Sequence, residues 1–255
     1  MKVRGDDYGR LRTAADALKD ILRDIEGTKD IEDDAARGSV VVMHRVGLGS
    51  VAVTRTNVLI QGESGTGKEL VARAIHNLSD RKSRPFIAAN LGALPETLVE
   101  SELFGYEKGA FSGASRQKPG WFEMANAGTL FLDEIGEMPP KTQVDLLRLL
   151  EQRELRRLGG EASIPIDVRL IAATNRELDA LASEGKFRQD LYYRINVVEL
   201  VVPPLAERYE DVLPLARHFA AEFAHAPVRL SPQALQCLLA HPWPGNVREL
   251  RNAIQ

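Results

Sequence analysis

Gln61-Gly62-Glu63-Ser64-Gly65-Thr66-Gly67-Lys68-Glu69 is the stretch that decides the fold of this chain. It joins an apolar run, 57–60, to a helix-forming stretch, 69–75. Glycines between a strand and a helix let the backbone approach an anion, which then faces backbone N–H groups and the positive end of the helix dipole. The lysine at the end of the turn is placed to reach the β- and γ-phosphates. The pattern predicts an ATP or GTP site, which we name the phosphate loop and assign to Gly62, Glu63, Ser64, Gly65, Thr66, Gly67 and Lys68. The alternative is a glycine-rich loop that merely starts a helix.

The residue after the lysine departs from the usual pattern. Most phosphate loops carry Ser or Thr there, whose hydroxyl holds Mg²⁺, whereas this chain has Glu69. A carboxylate is also a hard oxygen ligand. Glu69 therefore remains a candidate ligand for Mg²⁺ and for the nucleotide site.

Composition limits the class of protein. The chain has 255 residues, of which 44% are hydrophobic and 27% charged, which is typical of one large or two smaller globular domains. A net charge of −3 gives no general case for nucleic-acid binding. The single cysteine, Cys237, excludes an intrachain disulfide and fits a reducing cytosol. The chain has neither a secretory signal nor a run approaching the ~20 apolar residues of a membrane span, so we predict a cytoplasmic protein.

The first 38 residues differ from the rest. Apolar residues recur at helical spacing and predict an amphipathic helix over about 8–26, followed by an acidic linker to residue 38. This segment is either a partner helix or signalling linker, or a solvated helix left from another domain.

The remainder alternates apolar runs with helical patterns. Runs that are apolar on both faces, separated by crossovers of this length, predict a buried parallel sheet in an α/β fold. Pro203-Pro204 ends the alternation, and start signals at Ser231 and Asn246 predict only helices beyond it. We predict an α/β domain over 39–204 and a small helical domain over 205–255. The expected strands are 57–61, 85–89, 129–133, 167–173 and 197–202.

An apolar strand ends in two carboxylates at Asp133 and Glu134. Ligands of open α/β sheets lie beyond the carboxyl ends of the strands, beside the phosphate loop. Asp133 is then placed to hold Mg²⁺, and Glu134 to activate the water that attacks the γ-phosphate. Taken alone, the motif also fits an acidic turn after a buried strand.

Polar residues follow a second strand, and two arginines come after them. Thr174 and Asn175 are placed to orient water or sense the γ-phosphate, although Asn175 also suits the N-cap of a helix over 176–183. Arg188 and Arg194 suit a clamp on the transition state, because guanidinium stays charged and grips phosphate oxygens in two places. An arginine from a neighbouring molecule raises phosphoryl-transfer rates by about 10³–10⁵-fold. The alternative is a pair of surface salt-bridge arginines.

A loop of small residues, 109–114, carries one aromatic side chain, Phe111. Glycines at both ends make such a loop mobile. An aromatic tip indicates a contact surface, or a plug folded against its own domain.

Together these motifs resemble the central AAA+ ATPase domain of bacterial enhancer-binding proteins, which activate RNA polymerase carrying sigma-54. The likeness runs from about residue 40 to 255, and GAFSGA is its most specific element. The resemblance implies an AAA+ P-loop NTPase fold, with a five-stranded parallel sheet between helices and a helical lid. The motifs are GESGTGKE (62–69), ESELFG (100–105), GAFSGA (109–114), GTLFLDEIGEMP (128–139), AATN (172–175), GKFRQDLYYRINVVEL (185–200), PPL (203–205) and WPGNVREL (243–250).

The resemblance also implies roles. The phosphate loop and Asp133 serve ATP and Mg²⁺, and Glu134 activates water. Asn90 matches a switch residue that pairs with this glutamate, Thr174-Asn175 the first sensor, and Arg248 the second. Arg188 and Arg194 match fingers that reach the next subunit of a ring, expected to be a hexamer. The loop matches the segment that engages sigma-54; its residues are Gly109, Ala110, Phe111, Ser112, Gly113 and Ala114.

The sequence departs from the family pattern in several places. Ser112 stands where Thr is usual, Leu91 where Cys is usual, and Asp145 where Lys is common. The chain ends at Gln255, inside the expected lid and without a helix-turn-helix for enhancer DNA. We expect promoter DNA to be contacted only indirectly. The three alternatives for such a chain are a fragment, a decayed gene product and an activator without its own DNA anchor.

We expect an ATPase that remodels the sigma-54 polymerase holoenzyme and promotes open-complex formation. The main alternative is an ATP-binding interaction module without productive activation, which Ser112 and the early end of the lid motivate. A different AAA+ remodeller, such as a chelatase or clamp-loader subunit, is a third interpretation, and the 109–114 loop argues against it.

Overall fold

A computed structural model describes residues 48–225 and 229–255. The helix expected over 8–26 and the acidic linker lie outside the described residues. In the described ranges, no helix combines the length and apolar character needed to cross a membrane.

Five parallel strands form the central sheet, in the order β2-β5-β8-β1-β9. This arrangement confirms the predicted sheet, and every strand begins and ends within two residues of its predicted run. The bounds are β1 Val58–Gln61, β2 Phe86–Asn90, β5 Thr129–Asp133, β8 Arg169–Thr174 and β9 Val198–Val201.

Both faces of the sheet are covered by helices, because successive residues of a strand point to opposite faces. Leu130 and Leu132 of β5 belong to one apolar core, whereas Phe131 between them belongs to the other. Burial of each such side chain contributes about 1.5–3 kcal/mol. The helices of this domain are α1 Leu48–Val53, α2 Lys68–Asn77, α3 Glu96–Phe104, α4 Trp121–Met124, α5 Pro140–Gln152, α6 Leu178–Ser183 and α7 Gln189–Ile195.

Two small hairpins interrupt the α/β alternation. β3 (Gly105–Tyr106) pairs antiparallel with β4 (Lys118–Pro119), and β6 (Glu154–Leu155) pairs with β7 (Ile164–Pro165). The first hairpin carries the 109–114 loop, and the second packs beside it through a bridge between Tyr106 and Leu158.

Three helices follow the sheet and surround their own apolar core: α8 Val212–Ala224, α9 Pro232–Ala240 and α10 Asn246–Ile254. We call residues 205–225 and 229–255 the lid. The predicted start signals are confirmed, since the Ser231 side chain accepts a hydrogen bond from Ala234 N at the start of α9, and α10 begins at Asn246.

The alternative role of Asn175, as the N-cap of a helix over 176–183, is wrong. Helix α6 begins at Leu178, with Glu177 at its N-cap. Thr174 Oγ1 accepts a hydrogen bond from the Arg176 backbone N–H at 3.0 Å. This local turn occupies the residues that would otherwise form the first turn of the helix.

Candidate nucleotide site

The phosphate loop lies between β1 and α2. Gly65 and Gly67 have φ angles of 81° and 101°, in the left-handed region that glycine adopts without strain. A Cβ atom at Gly65 would also lie 2.5 Å from the Gly245 carbonyl oxygen of the lid. Glycine is therefore required at position 65, both because of the left-handed φ angle and because the Gly245 backbone lies so close.

Lys68 is folded over this loop. Its Nζ donates to the carbonyl oxygens of Gly62 and Glu63, at 2.8 and 2.9 Å. Burial lowers the pKa of the lysine, while the charges of Asp133 and Glu134 oppose that shift. The ammonium group thus lies in the field of both carboxylates, at the first turn of a helix.

Asp133 and Glu134 follow β5 at the same edge of the sheet. Asp133 accepts hydrogen bonds from Glu134 N at 3.0 Å and from Asn90 Nδ2 at 3.3 Å. Glu134 has a φ angle of 56°, and its carboxylate lies against Gly92, where a Cβ atom would be 1.8 Å from Oε2. The Glu134 carboxylate therefore lies beside the turn that follows β2.

The amide of Asn90 contacts Asp133 rather than Glu134. Its Oδ1 accepts a hydrogen bond from Ala93 N at 3.0 Å, which fixes the side chain over the turn after β2. The pairing with Glu134 that the family resemblance implied is therefore not the arrangement in this structure.

Thr174 is buried beside the phosphate loop, and Asn175 is exposed. The Thr174 carbonyl oxygen accepts a hydrogen bond from Gly62 N at 3.2 Å. Its Oγ1 would be 3.3 Å from a Cβ atom at Gly136, in the turn after Glu134. Thr174 thus joins the phosphate loop to the acidic strand end.

Glu69 points away from this cluster of groups. Its carboxylate accepts two hydrogen bonds from Arg73, at 3.1 and 2.8 Å, on an exposed part of α2. In the part of the chain that the structure describes, no three His, Cys, Asp or Glu side chains form a ready-made metal cage. Mg²⁺ needs only one or two carboxylates when phosphates and water complete its shell, and Asp133 meets that requirement.

Arg188 and Arg194 lie at the two ends of α7. The Arg188 guanidinium pairs with Asp190 at 3.0 and 2.6 Å. Arg194 donates to the Leu150 carbonyl oxygen at 3.0 Å. In the described ranges, neither side chain contacts the phosphate loop of its own chain.

The lid reaches the phosphate loop from the other side. Arg248 Nη1 donates to Ser64 Oγ at 3.1 Å, which brings this predicted sensor to the site. Two further lid residues, Arg208 and Asn246, also contact the loop. The sequence analysis did not identify Asn246, Arg208 or Gly92 as site residues. Asn246 lies within the WPGNVREL motif, which could have indicated it. No motif includes Arg208 or Gly92.

The loop 109–114, which we call the contact loop, is a compact turn. Gly109 N donates to the Ala114 carbonyl oxygen at 2.8 Å. Phe111 packs its ring edge-on against Tyr106, with centroids 4.9 Å apart, yet 43% of its surface stays exposed. The side chain is thus neither a buried plug nor a free tip.

Two family models match this chain. One is described as the sigma-54 interaction domain and matches residues 39–201; the other is described as an AAA+ ATPase lid domain and matches residues 206–255. Their matched ranges include the phosphate loop, the contact loop and Arg248.

Several curated proteins and solved structures are similar to the chain. The sigma-54-dependent transcriptional activator SfnR of Pseudomonas putida is 54% identical over 234 residues, covering 90% of this chain and 63% of that protein. The regulatory protein AtoC of Escherichia coli K12 is 55% identical over 209 residues, covering 80% of this chain and 45% of that protein. The crystal structure of NtrX from Brucella abortus in complex with ATP has a TM-score of 0.76 at 36% identity, covering 94% of this chain and 55% of that one. The chain thus spans less than two thirds of the length of each.

Proposed function

The chain belongs to the sigma-54 interaction domain family of AAA+ ATPases, and from that premise we propose that it hydrolyses ATP to remodel sigma-54 RNA polymerase. The observation that carries the proposal is the presence of two devices in one fold. A nucleotide site is built from Lys68, Asp133 and Glu134, and an aromatic contact loop stands on a hairpin of the same domain.

Nucleotide binding would use the backbone N–H donors of the phosphate loop. The loop N–H groups and the start of α2 supply positive potential for the phosphates. Lys68 would exchange its two carbonyl partners for the β- and γ-phosphate oxygens, which are stronger acceptors because they are charged. The similarity to an NtrX structure that contains ATP supports this assignment.

Hydrolysis would depend on the two residues at the end of β5. Asp133 would hold Mg²⁺, which when bound neutralises charge on the phosphates; Glu69 remains a less favourable candidate because it already pairs with Arg73. Glu134 would accept the proton of the attacking water. Thr174 and Asn175 lie at the next strand end, where they would orient that water or sense the γ-phosphate.

Arginines from a second subunit would complete the site. Arg188 and Arg194 lie at the ends of α7, and among the described residues the Arg188 guanidinium pairs with Asp190 at the surface. Solvent screens an exposed pair of this kind, so Arg188 is free to exchange Asp190 for a phosphate. We therefore expect a ring, with six subunits by analogy with the family, in which the nucleotide lies between neighbours.

Transfer of motion to sigma-54 is assigned to the contact loop. Its exposed Phe111 offers apolar surface, and the two hairpins beneath it connect to the sheet that carries Glu134. Promoter DNA would then be affected only indirectly, through the polymerase. Asn90, next to Asp133, is the residue we assign to the coupling of nucleotide state and loop position.

A second candidate function is favoured by Ser112. This residue keeps a hydroxyl but lacks the methyl group of the usual threonine. A contact loop that binds sigma-54 too weakly for activation is therefore the alternative. Such a chain would act as an interaction module that joins mixed rings without activation. Open-complex formation in a purified transcription assay separates the two functions.

The proposed hydrolysis is tested by turnover measured over a wide range of protein concentration. We expect turnover per subunit to rise with concentration, because fingers in trans require assembly, and Glu134→Ala to abolish it. Glu137→Ala is the matched control, because it removes a carboxylate three residues after Glu134 that pairs with Arg176. Full turnover in Glu134→Ala would contradict the catalytic assignment, and turnover per subunit that is independent of dilution would contradict the ring.

A further inference from the structure

The outer side of the phosphate loop is covered by hydrogen bonds from the lid. Three consecutive carbonyl oxygens of the loop each accept a hydrogen bond from a lid donor. The two carbonyl oxygens before them, of Gly62 and Glu63, accept hydrogen bonds from Lys68. The pairs, in order, are Asn246 Nδ2 to Ser64 O at 3.1 Å, Val247 N to Gly65 O at 3.0 Å, and Arg208 Nη2 to Thr66 O at 2.7 Å.

This pattern determines where the loop N–H groups point. In a planar trans peptide, the carbonyl oxygen of one residue and the N–H of the next point in opposite directions. When the lid holds the carbonyls of Ser64, Gly65 and Thr66, the following N–H groups point away from the lid donors. That direction is the one that a phosphate group requires.

Asn246 has the chemistry that this position needs. Its side chain is fully buried, and its Oδ1 accepts a hydrogen bond from Leu205 N at 2.7 Å. Its Nδ2 donates to Ser64 O and to the Glu63 carboxylate, at 3.1 and 2.9 Å. A carboxamide both donates and accepts, whereas a carboxylate of the same shape only accepts. Aspartate here would therefore lose the loop contact and face the charge of Glu63.

Arg208 is a buried cation that is not fully paired. It is 6% exposed, its Nη1 lies 3.7 Å from Asp211 Oδ2, and its Nε has no hydrogen-bond partner among the described residues. Burial of a charge is costly unless it is paired and hydrogen-bonded. Its hydrogen bond to the Thr66 carbonyl oxygen, at 2.7 Å, is shorter than its ion pair with Asp211, so the phosphate loop is its main partner.

We propose that Asn246 and Arg208 are positioning residues that hold the phosphate loop in its anion-binding conformation before the nucleotide arrives. The lid then sets the affinity for the nucleotide phosphates, separately from the hydrolytic step at Glu134. The nucleotide part of this inference rests on the proposed function, whereas the conformational part does not. The role differs from that of Arg248, which the family resemblance assigns to the nucleotide itself.

Calorimetric titration with ADP tests the nucleotide part. We expect Asn246→Asp and Arg208→Ala to weaken ADP binding by about tenfold or more, the factor that corresponds to one buried hydrogen bond. At saturating ATP, kcat should stay within about twofold of the wild-type value while KM rises, since a ground-state contact is lost. Arg208→Lys, which keeps the charge and one donor, should recover part of the affinity.

Ser231→Ala is the matched control. It removes the side-chain N-cap of α9 and so weakens the start of that helix, without touching the phosphate loop. The proposal is overturned if this variant weakens ADP binding as much as Asn246→Asp does, or if folded Asn246→Asp and Arg208→Ala both bind ADP like the wild type. Should Arg208→Ala fail to fold, Arg208→Lys and Asn246→Asp decide the question.

Amide hydrogen exchange of the nucleotide-free chain separates this inference from the proposed function. We expect faster exchange in peptides spanning 61–71 and 244–250 for Asn246→Asp and Arg208→Ala, because Val247 N loses its acceptor when the loop relaxes. Ser231→Ala should change only the peptide that contains α9. If the wild type binds no ADP, the proposed function fails and the exchange data alone decide; unchanged exchange at 61–71 overturns the inference.

Discussion

At the scale of single residues, Gly92 limits the position of the Glu134 carboxylate, the proposed general base. The Glu134 side chain occupies the space where any other residue at position 92 would place its Cβ, 1.8 Å from Oε2. Gly92→Ala should therefore displace Glu134 and lower kcat by up to about 10²–10⁴-fold, the usual contribution of a general base. ADP binding should persist, because the phosphate loop is unaffected.

The control for this prediction is Gly49→Ala. It makes the same chemical change where a Cβ meets nothing within 4 Å. Steady-state kinetics and ADP titration of both variants provide the measurement. A Gly92→Ala enzyme with wild-type kcat would mean that Glu134 tolerates movement, or is not the base.

Asp211 makes stability depend on pH. Burial raises its pKa from an ordinary 3.8 to about 6, while Arg208 opposes the shift and Glu210 adds to it. A raised carboxyl pKa means that the folded state prefers the protonated form. The stability from this group is thus complete below pH 4 and is lost as pH rises through about 6, by up to about 3 kcal/mol.

Asp211→Asn should remove this loss. Urea unfolding at pH 5 and pH 7.5 should show a smaller fall in unfolding free energy for the variant than for the wild type. Asp179→Asn, which removes an exposed carboxylate from α6, should leave the fall unchanged. An equal fall in Asp211→Asn and wild type would show that another group controls this pH range.

At the scale of elements, the two hairpins form one support for the contact loop. Arg157 of the second hairpin pairs with Glu107 at 2.8 Å and with Glu123 at 2.6 Å. Gly159, at a φ angle of 71°, lies under Ala110, where its Cβ would be 2.9 Å from the alanine Cβ. The contact loop is therefore positioned by a hairpin that follows it by some 45 residues in the chain.

Gly159→Val should displace the contact loop without disturbing the nucleotide site. We expect capture of sigma-54, in the presence of an ATP transition-state mimic, to fall by at least about tenfold, while ADP binding stays unchanged. Gly185→Val is the control for backbone strain, because Gly185 has the same φ angle of 71° but nothing within 4 Å. Equal capture by the two variants would separate the second hairpin from the partner contact.

The sequence predicted the elements whose signals are local. Each sheet strand is an apolar run, and α9 begins at the predicted start signal, Ser231-Pro232. The hairpins were missed because strands of two residues have no periodicity. Arg208 and Gly92 were missed because their partners are remote: Arg208 contacts a residue 142 positions away. Asn175 was misplaced as a cap because a side-chain turn at Thr174 competes with the helix.

At the scale of the whole molecule, the proposed function divides the nucleotide site between copies of the chain. In the described residues, Arg188 and Arg194 contact Asp190 and Leu150, and not the phosphate loop. Glu134→Ala and Arg194→Ala chains should each be inactive alone. Mixing them should restore part of the activity, because some interfaces then pair an intact base with an intact finger.

The mixing experiment is read as ATP turnover at fixed total protein. In the control mixture, Arg251→Ala replaces Arg194→Ala. Arg251 is a lid arginine that pairs with Glu222 away from the phosphate loop, so this variant should be active by itself. Mixtures no more active than the sum of their parts would place both groups in one subunit.

The proposed ATP hydrolysis requires a triphosphate bound at the phosphate loop. Titration of MgATP into Glu134→Gln, which binds without turning over, measures this binding directly. We expect saturable binding that Lys68→Ala weakens by at least about a hundredfold, since a charged hydrogen bond contributes about 1.5–3 kcal/mol and Lys68 is placed to make several. No heat of binding for the folded Glu134→Gln protein, or equal binding by its Lys68→Ala derivative, would contradict the account.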